Sequence, residues 1–242
     1  MKFRSHRGLY HYYPENTIPA FVAALEQGFE QVETDPRPTK DGVLVLMHDA
    51  TINRTLRNPD GTKIEKEIAV CDITYEELMK YDAGIYLGEE FRGTKVSRFD
   101  ELLACYEGKD ISVAIDKKTP IEKFDLVLDV CKKYKTNVTF SCASCDLIEK
   151  ILSVFPDAKF DYDGVVSDEA LAEISRLVKR ENLNVWMYLD KPNFAWLEDT
   201  RKVSVERMEI ARKYASCVGV ANVNFPCDVR EALAFCPDII EV

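Results

Sequence analysis

Histidine is scarce in this chain: His6, His11 and His48 are the three among 242 residues. Glycine and proline number ten each, far too few for a collagenous or low-complexity protein. Long apolar runs are missing as well. The longest near the N-terminus, Val43-Leu44-Val45-Leu46-Met47, falls far short of the roughly 18–20 residues that cross a bilayer. Met1–Ser5 offers none of the apolar core of a signal peptide. Positive charge is in deficit, with 32 basic against 42 acidic side chains and a net charge of −10. Nucleic-acid binding draws much of its affinity from neutralised phosphates, and no Lys/Arg run is present to supply it. An anionic membrane surface would repel the same field. The eight cysteines stand mostly beside apolar residues and read as reduced core thiols. Cys142-x-x-Cys145, the one close pair, lacks the second pair or nearby histidines of a zinc site. With 46% hydrophobic residues disorder is excluded too. The expectation is a globular cytoplasmic protein with no nucleic-acid partner and no membrane anchor.

Short apolar runs alternate with segments of helical periodicity. Strands are expected at Lys2–Ser5, Gln31–Asp35, Gly42–Met47, Ile111–Asp116, Asn137–Ser141, Ala158–Asp161, Asn184–Leu189 and Cys217–Val223. The last strand has an alternative at Asp238–Val242. Helical spacing falls at Thr17–Gln27, Thr74–Lys80, Arg98–Tyr106, Ile121–Lys133, Asp146–Val154, Asp168–Lys179, Ser204–Tyr214 and Val229–Phe235. Thr74 and Ser167 stand as N-caps. Repeated strand-helix units argue for a parallel sheet, either open and doubly wound or closed as a (β/α)8 barrel. No glycine-rich phosphate loop follows the first strand. Polar, reactive residues instead follow several different strands, as on the C-terminal face of a barrel. The barrel is preferred: one domain over residues 1–242, with a small insertion on the catalytic face at about 49–97. Trp186 reads as core, and Trp196 falls in an aperiodic stretch.

His6 and His48 each end an apolar, strand-like segment. One imidazole could take a proton and the other give one, as cleavage of a P–O bond near neutral pH requires; each alone is equally consistent with a structural hydrogen bond. His11, in a tyrosine-rich loop, reads as loop packing. In Glu33-Thr34-Asp35 the two carboxylates project to one side of a strand. Buried there, they would need a cation or hydrogen bonds; exposed, they would be solvated acids. Asp116 and Lys118 share a face at another strand end. Three carboxylates with waters would make an oxygen site fit for Mg²⁺ or Ca²⁺. Arg7 has the geometry for bidentate phosphate recognition, Lys118 could serve as a point charge on the same anion, and Gly8 would let the backbone approach a ligand closely.

His6-Arg7-Gly8, Pro14-Glu15-Asn16-Thr17, Glu33-x-Asp35, Thr39-Lys40-Asp41-Gly42 and His48-Asp49 with Arg54-Thr55 follow one another over about 50 residues. In order and spacing this series resembles the N-terminal signature of the glycerophosphodiester phosphodiesterase family. Asp116-x-Lys118, Phe140-Ser141, Val185-Trp186 and Asn224-Phe225-Pro226 resemble later family segments. The resemblance implies a (β/α)8 barrel with a small insertion. It implies His6 and His48 as the general acid/base pair, and Glu33, Asp35 and Asp116 around a divalent metal, Mg²⁺ or Ca²⁺. Arg7 and Lys118 would contact the substrate phosphate. Asp116 stands where the family usually has Glu. The implied reaction is attack of a glycerol hydroxyl on phosphorus, departure of the alcohol, and opening of the cyclic phosphate by water, with a soluble glycerophosphodiester as substrate. Other readings are a related enzyme acting on lysophospholipids or phosphosugar esters, and a barrel that binds a phosphodiester without cleaving it. A helical His-Asp hydrolase is ruled out because His48-Asp49 follows a strand and few histidines remain.

Overall fold

The computed structural model describes residues 1–191 and 197–242; Trp196 lies outside the described residues. Ten strands are formed among the described residues: β1 (Lys2–Ser5), β2 (Gln31–Thr34), β3 (Pro36–Pro38), β4 (Leu44–Leu46), β5 (Ser112–Ile115), β6 (Asn137–Cys142), β7 (Lys159–Tyr162), β8 (Leu183–Tyr188), β9 (Cys217–Ala221) and β10 (Ile239–Glu241). Eight of them close a barrel in the order β1-β10-β9-β8-β7-β6-β5-β2. With the helices between them this is the expected (β/α)8 architecture.

One strand assignment changes. Gly42–Met47 is not a barrel strand: its core, β4, pairs antiparallel with β3 in a separate two-stranded sheet. The reason lies in Pro36 and Pro38, which have no N–H to donate and cannot extend a barrel ladder beyond β2. The eighth barrel strand is the C-terminal β10, which pairs with both β1 and β9. The chain thus leaves the barrel ladder at Pro36, just after β2.

Packing divides the chain into two compact units, Ser5–Asn137 and Met1–Arg4 with Val138–Val242. In the first, β2 and β5 run parallel with Glu33 opposite Ala114 and Thr34 opposite Ile115. The helices are α1 (Ile18–Glu26), α2 (Tyr75–Leu78), α3 (Phe99–Tyr106) and α4 (Asp125–Cys131). Ala20, Phe21, Ala23 and Ala24 give α1 its buried face. The expected cap at Thr74 forms a full capping box with Glu77. The excursion carries its own small core, in which Met47, Ile52, Leu56, Val70 and Leu78 are buried together. That core anchors an otherwise irregular stretch. The glycine at position 8 adopts φ +76°, and a Cβ there would come within 2.8 Å of Ala20 on α1.

In the second unit α5 (Cys145–Leu152), α6 (Asp168–Ile174), α7 (Val205–Tyr214) and α8 (Pro226–Leu233) alternate with β6 to β10. Ser167 caps α6 by accepting from the Ala170 N–H at 3.2 Å. Trp186 is core, as expected, and a Cβ on Gly219 would come within 2.5 Å of its ring. The thiols differ from expectation: Cys131 and Cys142 are buried, whereas Cys71, Cys227 and Cys236 are exposed. The interior also holds charge. Arg4 on β1 donates to Glu241 at 2.7 Å and to Asp161 at 2.8 Å, with its guanidinium over the Trp186 ring. Asp161 accepts further from Thr139 at 3.0 Å and Asn184 at 2.8 Å.

Removing Arg4 would strand two buried carboxylates. Arg4→Met is therefore expected to lower stability by about 3–5 kcal/mol, seen as a lower urea midpoint. A loss under about 1 kcal/mol would mean that solvent relieves the cluster.

Candidate active site

The site is built within residues 5–137. Glu33 ends up near the close of β2 and Asp35 just beyond it, on the same side as the strand period requires. The β2–β5 register brings Asp116 alongside, and its N–H donates to the Thr34 carbonyl at 2.9 Å. Ligand oxygens of Glu33, Asp35 and Asp116 all lie within 4.8 Å of one another.

Asp35 is fully buried. Its Oδ2 accepts from Asn16 Nδ2 at 2.7 Å, while its Oδ1 has no hydrogen-bond partner among the described residues. Burial, and then the neighbouring Asp116, push the Asp35 carboxyl above its ordinary range. Burial would raise Asp116 as well, but Lys118 and Lys117 outweigh it and hold that carboxyl low. Lys118 Nζ sits 2.7 Å from Asp116 and 3.6 Å from Asp35, and stays charged because these acids offset its burial. A buried carboxylate oxygen without a donor, inside an all-oxygen set that already draws in an ammonium, fits a hard divalent cation.

Arg7 takes a left-handed backbone (φ +54°), uncommon outside glycine. Its N–H donates to Glu33 at 3.2 Å and its Nη1 to Glu15 at 3.2 Å. Its Nε stands 3.5 Å from Asp35 yet makes no hydrogen bond among the described residues. Burial lowers the guanidinium's proton affinity, and Asp35, Glu15 and Glu33 more than restore it. Asn16, also left-handed (φ +57°), accepts from Thr34 Oγ1 at 3.0 Å and from the Asp35 N–H at 3.3 Å. Its side chain thereby fixes the turn out of β2.

His6 follows β1, with Nε2 3.8 Å from Glu33 and its ring edge-on to Tyr10. His48 arrives by another route. The β3–β4 pairing carries it back beside Asp35, whose carbonyl accepts from the Met47 N–H at 2.9 Å. Arg37 pins the turn by donating to the His48 carbonyl at 2.8 Å and to the Lys118 carbonyl at 3.3 Å. His48 Nδ1 lies 2.8 Å from Asp49 Oδ1. Burial raises the Asp49 carboxyl less than Arg54 and His48 lower it, leaving it at about 2. Burial also lowers His48, and with Arg7 and Lys118 it prevails over the pull of Asp35. With Asp49 ionised and His48 lowered below its ordinary value, the 2.8 Å contact calls for an imidazole proton on Nδ1, which would leave the Nε2 lone pair as the base.

All seven expected site residues thus fall in this one region: His6, Arg7, Glu33, Asp35, His48, Asp116 and Lys118. His11 is exposed and packs on Tyr10 with ring centroids 4.1 Å apart. Sequence reasoning left Glu15, Asn16, Arg37, Asp49 and Arg54 without roles. All but Arg37 lie inside the motifs that carried the family resemblance, and that was the available signal. Nothing around Arg37 marks its contacts with the Met47, His48 and Lys118 carbonyls.

Residues 6–143, more than half of the chain, match the glycerophosphoryl diester phosphodiesterase family. A glycerophosphodiester phosphodiesterase of Caldanaerobacter subterraneus is 42% identical over 117 residues, 48% of this chain and 45% of that protein. One of Bacillus altitudinis is 40% identical over 124 residues, 51% and 47% of the two chains. The chain spans about half the length of these curated relatives. Among solved structures, a phosphodiesterase of Oleispira antarctica in complex with the product sn-glycerol-3-phosphate superposes with a TM-score of 0.81 at 17% identity. That match covers 100% of this chain and 92% of the other. The glycerophosphodiester phosphodiesterase of Thermotoga maritima gives 0.68 at 26% identity, covering 99% and 93%. On the family match, the chain belongs to the glycerophosphoryl diester phosphodiesterase family.

Proposed function

We propose that this protein hydrolyses soluble glycerophosphodiesters to glycerol 3-phosphate and an alcohol. The observation that carries the reading is the convergence of three carboxylates within 4.8 Å with two imidazoles and the cations Arg7 and Lys118. In this reading Glu33, Asp35 and Asp116 hold a divalent ion, with oxygen donors suited to Mg²⁺ or Ca²⁺. When bound, the ion adds positive charge against the phosphoryl oxygens and acidifies the attacking hydroxyl. Arg7 and Lys118 orient the diester through its phosphate. The bare Nε2 of His48 takes the proton of a glycerol hydroxyl as that oxygen attacks phosphorus. His6, an ion-pair partner of Glu33 when protonated, gives its proton to the departing alkoxide as the P–O bond breaks. A five-membered cyclic phosphate results. Water then opens it, His6 taking the water proton while His48 returns its own to the glycerol oxygen. Both rings end as they began.

The substrate class follows from charge. A net charge of −10 opposes docking on an anionic leaflet, whereas a small diester meets only the local cations. No helix among the described residues is long and apolar enough to cross a membrane. The cysteines form no disulfide among the described residues, which suits a reducing compartment, and we place the enzyme in the cytoplasm.

Four outcomes are expected. His6→Ala and His48→Ala should each lower kcat by roughly 10²–10⁴ while circular dichroism stays unchanged. His11→Ala should stay near wild type, and a comparable loss there would reassign the pair. Exhaustive chelation should abolish turnover, and added Mg²⁺, Mn²⁺ or Ca²⁺ should restore it. Asp116→Glu should keep more metal affinity than Asp116→Asn, because the carboxylate charge survives. Full activity in excess chelator would remove the metal from the mechanism. Finally, phosphorus NMR should record glycerol 3-phosphate from glycerophosphocholine, with a higher kcat/KM than for lysophosphatidylcholine held below its micellar concentration. The reverse preference would make the enzyme a lysolipid phosphodiesterase with the same catalytic residues.

A further inference from the structure

Arg54 lies outside the carboxylate cluster, and nearly half of its side chain is open to solvent. Its hydrogen bonds are nonetheless concentrated. Nε donates to Asp49 Oδ2 at 2.6 Å and Nη2 to Asp49 Oδ1 at 3.1 Å. Nη1 and Nη2 donate to the two oxygens of Glu15, both at 2.7 Å. One rigid guanidinium thus grips two carboxylates at once. Each of those carboxylates holds a residue of the site: Asp49 Oδ1 receives His48 Nδ1, and Glu15 Oε1 receives Arg7 Nη1. Glu15 is fixed further through its N–H, which donates to Tyr86 Oη at 3.0 Å.

We propose that Arg54 is a positioning residue, setting the imidazole of His48 through Asp49 and the guanidinium of Arg7 through Glu15. The inference rests on the hydrolase reading for its catalytic consequence, although the geometry stands apart from it. A half-exposed ion pair ordinarily adds little stability. The planar fork instead restricts orientation, since neither carboxylate can rotate without losing a two-pronged contact. An Asp49 carboxylate that cannot swing keeps the His48 proton on Nδ1 and Nε2 facing outward as a base. A Glu15 carboxylate held in place keeps Arg7 aimed beside Asp35. Lysine would keep the charge but lose the fork, so charge and geometry can be separated.

Two measurements test this. In the protein freed of metal, at a pH where all three imidazoles are neutral, nitrogen-15 NMR reads the tautomer of His48, assigned by the signal lost in His48→Gln. The wild type should show the Nδ1–H tautomer alone; Arg54→Met should show a mixture, and Arg54→Lys an intermediate state. An unchanged tautomer in Arg54→Met overturns the proposal. With glycerophosphocholine, Arg54→Met should lower kcat/KM by about 10- to 100-fold, the scale of a misplacement near 1 Å, with a melting temperature close to wild type. Adding Arg54→Met to the Asp49→Ala, Glu15→Gln double variant should cost no more than about twofold, because both paths are already cut. Full multiplicative losses would mean that Arg54 acts by another route, and the proposal fails. Wild-type protein without turnover would defeat the hydrolase reading, and the imidazole signal would still decide the role of Arg54.

Discussion

A carboxylate with no exposure to water governs this half of the chain. Asp35 carries a formal charge in a place where desolvation favours the neutral acid. Its neighbours are arranged around that cost. Asn16 presents its amide N–H to Oδ2, and Arg7 and Lys118 stand within 3.6 Å. Both Arg7 and Asn16 adopt left-handed backbone to do so. These contacts reduce the cost without removing it, because Asp116 adds a second negative charge close by. The remaining imbalance is what a divalent ion would correct.

The way His48 reaches the site depends on two prolines. A barrel strand that continued past Asp35 would need N–H donors at positions 36 and 38, and proline has none. The chain leaves the barrel, turns at Gly42 (φ +80°) and returns antiparallel along β3. The turn is tightened by Thr39, whose hydroxyl accepts from the Val43 N–H at 3.0 Å and donates to Asp41 at 2.6 Å. His6 is carried by the barrel, His48 by this small sheet. The buried residues of the excursion, Ile52, Leu56 and Val70 among them, keep the sheet in place.

Much of this was legible in residue order, and the limits have physical causes. The i, i+2 rule for strands put Glu33 and Asp35 on one side without any knowledge of the fold. Helical periodicity located α1, α3 and α7 to within two residues at each end, because each buries one apolar stripe. The apolar run at Gly42–Met47 misled because a strand buried in a small side sheet has the same composition as one buried in a barrel; only the prolines before it tell them apart. β10 was short enough to stand merely as an alternative. The network joining His48, Asp49, Arg54, Glu15 and Arg7 could not be read, since it links residues up to 47 positions apart through side-chain forks that have no period.

Two clusters of acids among the described residues, one around Asp161 and Glu241 and one around Asp35, differ in a way that separates structure from chemistry. Around Asp161 and Glu241 the donors are sufficient. Arg4 serves both, Thr139 and Asn184 complete Asp161, and both oxygens of Asp161 are occupied. Such a cluster has nothing to offer a ligand, and its removal should register as lost stability. Around Glu33, Asp35 and Asp116 the donors fall short. Asp35 Oδ1 has no hydrogen bond, and Arg7 Nε, although buried beside the same carboxylate, also makes none among the described residues. A cation for the one and an anionic oxygen for the other would satisfy both atoms together. In the proposed reading a metal and a phosphate bring that pair of charges, so the substrate complex would satisfy the same two atoms.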